Sequence, residues 1–184
     1  MIGTIWDIDE AKQRHVHSPG LANWLAYYLD KQLPVVDVGC GLGLYIATLD
    51  DFGFTTIGYE GTPGIGTIAK GNVHQADITE MLPRDMVGNV LCLEVMEHIE
   101  PKNESRVLAN IKHLCTKTLV LSWAIEGQNG YGHINCKNAE YVVPTIEALG
   151  FKIDFAVTMR AREHATRMPH TNFFNQSLYI FNKL

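Results

Sequence analysis

The chain has 184 residues, 46% hydrophobic and 19% charged, with a net charge of −5. That length suits one domain with a sizeable core and leaves no room for two full catalytic domains. The composition excludes a disordered chain, and the acidic balance gives no global basic field for nucleic acid or an anionic membrane. Cys40, Cys92, Cys115 and Cys136 stand apart with no C-x-x-C pair, so zinc-ribbon spacing is absent and the thiols read as reduced and mostly buried. Acids fall within the first ten residues, where a signal peptide needs an apolar stretch, and no apolar run reaches the ~18 residues of a membrane span. The expectation is a cytoplasmic protein without a membrane segment.

In chain order, residues 7–32 read as two helices. Asp7 with Glu10 is a capping-box pattern, and Ser18-Pro19 reads as the cap and first position of the second helix. Leu21, Trp24, Leu25, Tyr28 and Leu29 then share one face. Residues 34–38 form a short apolar run ending in glycines, the signature of a buried parallel strand. A helix over 44–50, a strand over 55–59, a weak helix over 62–70 and a short strand over 73–76 follow. Further strands are expected at 87–93, 118–122, 151–157 and 178–181. Helices are expected at 102–114 and at 138–149, the latter interrupted by Pro144 and stopped by Gly150. Alternating strands and helices imply a doubly wound, Rossmann-like, mostly parallel seven-stranded α/β sheet with helices on both faces. Ligands of such sheets bind beyond the carboxyl ends of the strands. The loops after residues 38, 59, 76 and 93 should therefore line one crevice.

The first of those loops reads Asp37-Val38-Gly39-Cys40-Gly41-Leu42-Gly43. It fails the G-x-G-x-x-G dinucleotide fingerprint because Leu occupies position 44, and it is no P-loop. It resembles motif I of the class I S-adenosylmethionine-dependent methyltransferases. The likeness continues over residues 34–123. Glu60-Gly61 follows the second strand, 23 positions after Asp37, where an acid suits two ribose hydroxyls. Asp77-Ile78 follows the third strand, at the position the family turns toward the adenine amine. Leu93-Glu94-Val95-Met96-Glu97-His98-Ile99 follows the fourth and resembles the family's segment beside the methionine moiety. The resemblance implies a single methyltransferase domain: a helical cap over 1–32, a cofactor-binding core over 33–123 and a substrate-side part over 124–184. It also implies S-adenosylmethionine as methyl donor and S-adenosylhomocysteine as product. Asp37, Gly39, Cys40, Gly41, Gly43, Glu60, Gly61, Asp77, Ile78, Glu94 and Val95 are the expected cofactor-binding residues. The acidic crevice suits a sulfonium cation without phosphates.

Methyl transfer needs a base only when the acceptor arrives protonated. His98, and His133 in the Gly- and Asn-rich loop after the fifth strand, are the candidate catalytic residues. Arg14, His15, His17 and Ser18 are candidates for touching the cofactor from the N-terminal helices. Met159–His170, rich in Arg and His, reads as an insertion suited to an anionic acceptor. Trp6, Trp24 and Trp123 read as packing residues, with Trp123 the one expected near the pocket. The favoured acceptor is a small molecule, through oxygen or nitrogen, with no metal required and nucleic acid disfavoured. Two alternatives remain open. Glu94-x-x-Glu97-His98 resembles the metal-binding segment of small-RNA terminal 2′-O-methyltransferases, with His133 completing a set of Glu94, Glu97, His98 and His133. A non-catalytic cofactor-binding subunit is the other.

Overall fold

The computed structural model describes residues 5–184. Seven strands form one sheet in the order β3-β2-β1-β4-β5-β7-β6. They are β1 (Val35–Val38), β2 (Thr56–Glu60), β3 (Val73–Gln75), β4 (Gly88–Cys92), β5 (Cys115–Ser122), β6 (Phe151–Ile153) and β7 (Leu178–Lys183). The first five run parallel; β7 lies antiparallel between β5 and β6. The sheet order reverses at β1, whose neighbours are β2 and β4, so the crevice expected of such folds opens there.

Central strands feed both faces because successive side chains alternate. Val36, Val38, Val90, Cys92, Leu119 and Leu121 point to one layer, with Val107, Leu108, Ile111 and Leu114 of α4 (Glu104–Leu114) and Val142 and Ile146 of α5 (Ala139–Glu147). Val35, Leu91, Val120, Leu178 and Ile180 point to the other. There they meet Leu21 and Leu25 of α2 (Pro19–Tyr28), Leu49 of α3 (Leu44–Asp51), and Ala161 and Ala165 of α6 (Phe155–Ala165). Each fully buried Leu or Val contributes roughly 1.5–3 kcal/mol relative to exposure. Pro144 sits within α5, which continues to Glu147.

The helix starts follow their capping residues. Asp7 caps α1 (Ile8–Arg14) in a full capping box with Glu10, and the Ser18 hydroxyl accepts from Leu21 N to start α2. The same hydroxyl donates to Ala165 O at 2.9 Å, tying α2 to the end of α6.

Three expectations change. Residues 62–70 hold only a 3-10 turn at Ile65–Thr67, because Gly64 adopts a left-handed φ of 78° and interrupts the helix. The strand expected over 151–157 stops at Ile153, because the Asp154 carboxylate accepts from Val157 N and nucleates α6. Met159–His170 is therefore no insertion at the crevice. Most of it is helix α6, whose Ala161 and Ala165 are packed in the core and whose Arg162 donates to the carbonyls of Leu178 and Gln176.

No helix among the described residues is long and apolar enough to cross a membrane. All four cysteines are free.

Candidate active site

Beyond the carboxyl ends of β1, β2 and β4 lies a cavity of about 630 Å3. Its floor is the glycine loop. Gly39 N and Cys40 N both donate to Tyr59 O, at 2.8 and 3.1 Å, which folds the loop back over β2. Gly39 has φ 81°, and a Cβ there would collide with the Val95 side chain. Gly41 has φ 55°, and a Cβ there would strike the His15 imidazole. Only glycine satisfies both the dihedral and the close approach.

Glu60 ends β2 at the cavity wall. One carboxylate oxygen accepts the Gly41 amide at 3.0 Å; the other accepts the amide and hydroxyl of Thr62 at 2.9 and 2.8 Å. Asp77 presents an exposed carboxylate at the rim and accepts the amide and hydroxyl of Thr79, at 2.8 and 2.7 Å. Asn110 of α4 anchors that rim from beneath, accepting from Leu82 N and donating to Ile78 O and Glu80 O.

Glu94, after β4, has φ 57°, a left-handed conformation that non-glycine residues rarely adopt. Ser122 holds it there. The hydroxyl accepts Glu94 N at 2.6 Å and donates to the Glu94 carboxylate at 2.8 Å. Burial pushes the Glu94 acid up to about 7. Burial, with the neighbouring Glu60 charge, pushes Asp37 up to about 8. Glu97 is fully buried behind them and is also pushed well up, by burial first and then by Glu94.

His98 and His133 stand at the opposite wall, their rings 5.0 Å apart and edge to face. His98 Nδ1 faces Gly132 O at 3.3 Å, and His133 Nδ1 faces Gln128 O at 3.1 Å. Burial lowers both pKa values, His98 to about 4 with help from His133, so both rings are neutral at pH 7. Each therefore donates its Nδ1 proton to a carbonyl and keeps a free lone pair on Nε2. Ile134 N and Asn135 N donate to Glu97 O, at 2.8 and 3.0 Å, and lock the His133 loop onto the turn that carries His98.

Trp6 and α1 complete the enclosure. Trp6 packs on His15 and His98, with centroids at 5.0 and 5.3 Å. The Tyr131 hydroxyl donates to Glu10 at 2.7 Å, and the Arg14 guanidinium lies 3.6 Å over the Tyr131 ring.

The structure brings Gly39, Glu60, Gly61, Asp77, Ile78, Glu94, Val95, His98 and His133 to one cavity. Asp37 and Cys40 line a smaller adjoining cavity that shares Gly39 and His15 with it. Gly41 and Gly43 shape the floor without lining it. Of the N-terminal candidates, Arg14 and His15 reach the cavity, whereas Ser18 is spent on capping. The expectations for the tryptophans reverse: Trp123 is fully buried and donates to Asn135 O, whereas Trp6 lines the cavity. Tyr131 and Phe173 also line it and were not singled out in the sequence. Tyr131's place beside His133 in a Gly-rich loop was a usable signal.

Residues 36–118 match a family model described as a methyltransferase domain. A magnesium protoporphyrin IX methyltransferase from Synechocystis, solved with S-adenosylhomocysteine, has the same fold, with a TM-score of 0.65 and 19% identity over 96% of this chain and 84% of that one. The fold is that of the class I S-adenosylmethionine-dependent methyltransferases. A sugar N-methyltransferase from Streptoalloteichus superposes with a TM-score of 0.66 at 15% identity, covering 94% of this chain and 90% of that one. A methyltransferase from Archaeoglobus fulgidus gives 0.67 at 16%, covering 96% and 98%. Among curated proteins, no sequence matches this chain.

Proposed function

We propose that this chain is a methyltransferase that holds S-adenosylmethionine across the glycine loop and Glu60, and methylates a small molecule bound between the two histidines and Tyr131. The observation that carries the reading is the Glu60 carboxylate, fixed to the Gly41 amide at 3.0 Å in the wall of a 630 Å3 cavity. Its oxygens retain lone pairs for a nucleoside's ribose hydroxyls. The cavity fits the cofactor by size, by the glycine surface a Cβ would fill, and by the acids Glu60, Asp77 and Glu94, which favour a cation over a phosphate.

S-adenosylmethionine supplies an electrophilic methyl group on a sulfonium. The chain's own residues position and desolvate. Asp77 and Ile78 flank the adenine end, and Gly39, Val95 and Glu94 flank the methionine end. Residues 128–133 and Phe173, from the C-terminal part, wall the acceptor. His98 and His133, neutral and aimed at that space, receive the acceptor's proton if it carries one. Arg14 offers a charge partner to an anionic acceptor.

Calorimetric titration with S-adenosylmethionine and S-adenosylhomocysteine tests the reading. Binding that Glu60→Ala weakens by about tenfold or more supports it. No binding of either ligand to the wild type overturns it. Binding without turnover over a broad small-molecule acceptor panel would favour the partner-subunit alternative.

A further inference from the structure

We propose that the acceptor is a hydroxylated aromatic acid, with its ring against the aromatic side of the cavity and its carboxylate on Arg14. The inference rests on the proposed function and names the substrate class of that site.

The cavity's charges are sorted by element. The acids Glu60, Asp77 and Glu94 come from the ends of β2, β3 and β4, whereas Arg14 ends α1. Arg14 is exposed, lines the cavity and lies 3.6 Å over the Tyr131 ring. Among the described residues, no hydrogen bond or ion pair uses its guanidinium. Glu10, one helical turn earlier, is taken by the Tyr131 hydroxyl and the Asp7 amide. Lys102, which also lines the cavity, pairs with Glu100. Arg14 is thus a cation steadied by a ring with its N–H donors unspent, and a carboxylate can accept two of them side by side. The same contact counts against a cationic acceptor, because a guanidinium already covers the Tyr131 face that an ammonium would seek.

Rings set the shape of the acceptor end. Trp6, His98 and His133 make a chain of edge contacts, with centroids 5.3 and 5.0 Å apart, and Tyr131 and Phe173 line the same cavity. Such walls favour a flat aromatic body. The two imidazoles, kept neutral by burial, decide which group reacts. A carboxylate is already ionised at pH 7 and needs no base, and on Arg14 its lone pairs are engaged. A ring hydroxyl arrives protonated and uses the free Nε2 of one histidine. The hydroxyl is therefore the nucleophile, and the carboxylate is the handle that orients it.

The test is calorimetric titration of the full chain with ortho, meta and para hydroxybenzoates and their matched hydroxybenzamides, with and without S-adenosylhomocysteine. At least one acid is expected to bind about tenfold more tightly than its amide, the scale of a charge-assisted hydrogen bond. Arg14→Gln should remove that preference and leave S-adenosylhomocysteine affinity unchanged. Arg14→Lys should restore only part of it, because an ammonium lacks the guanidinium fork. With S-adenosylmethionine, the preferred acid should become a methyl ether, read by mass spectrometry. Acids that bind no better than amides, or a preference that survives Arg14→Gln, overturn the proposal. So does a methyl ester, or no methyl ether, from the bound acid. Loss of S-adenosylhomocysteine affinity in Arg14→Gln also overturns it, since Arg14 would then serve the cofactor's carboxylate. Failure of S-adenosylhomocysteine to bind the wild type sinks the proposed function, while the acid-over-amide comparison without it still decides the role of Arg14.

Discussion

The Glu60 carboxylate accepts the Gly41 amide at 3.0 Å, which joins the loop after β1 to the end of β2 as one unit. Losing this acid removes the proposed ribose acceptor and unpins the floor together. Glu60→Ala should weaken S-adenosylhomocysteine binding about 10- to 100-fold, matching the ~1.5–3 kcal/mol of a hydrogen bond to a charged group. Glu60→Gln, which keeps an acceptor but loses the charge, should fall between. Calorimetry of both variants checks the order.

Glu94 lines the cavity with its acid raised to about 7 by burial. A sulfonium cation favours the ionised form, whereas the neutral thioether product does not. Affinity for S-adenosylmethionine relative to S-adenosylhomocysteine should therefore rise as pH increases through about 7. Titrations at pH 7 in buffers of different ionisation enthalpy should show more proton release with the sulfonium ligand. Equal release would refute the pairing of Glu94 with the cation.

Burial raises the folded pKa of Asp37 from the ordinary 3.8 to about 8. Between those values the folded state holds a proton that the unfolded chain has lost. The group's contribution is thus full below the unfolded value and is lost as pH rises through about 8. Ligand-free protein should lose stability over that span, and Asp37→Asn should flatten the dependence. Urea midpoints at a series of pH values measure it.

Asn110 is buried, and its amide satisfies one amide and two carbonyls beneath the Asp77 rim. Asn110→Ala strands these groups, at about 1–3 kcal/mol for each left unsatisfied, and should cost about 3 kcal/mol in all. Urea denaturation would show this, with weaker nucleoside binding alongside. A change below 0.5 kcal/mol, the range of ordinary surface substitutions, would contradict the anchoring role.

Tyr131 fastens α1 across the cavity through Glu10 and Arg14. Both contacts are exposed, so Tyr131→Phe should leave the melting temperature unchanged. It should hasten S-adenosylhomocysteine release, because the α1 side of the enclosure opens more often. Stopped-flow release and amide exchange of residues 8–14 give the two readouts.

The parallel core was legible in the sequence because continuous apolar runs bounded by glycines and acids leave little choice of fold. The cavity wall followed from position: Gly39, Glu60, Asp77 and Glu94 each come just after a strand. The sequence was less informative where local pattern competes with capping. Phe151-Lys152-Ile153 alternates like a strand, but Asp154 turns the following residues into α6 and carries the arginines away from the crevice. Tyr131 meets Glu10 from 121 positions away, a contact no spacing rule announces.

Among the described residues β6 pairs only with β7, and β7 slots between β5 and β6. During synthesis, β5 and β6 must therefore wait with open edges until residues 178–183 have left the ribosome. The late pairing spans long stretches of chain, which slows folding and leaves strand edges open to aggregation. The pairing of β7 thus governs how safely the nascent chain reaches its folded state.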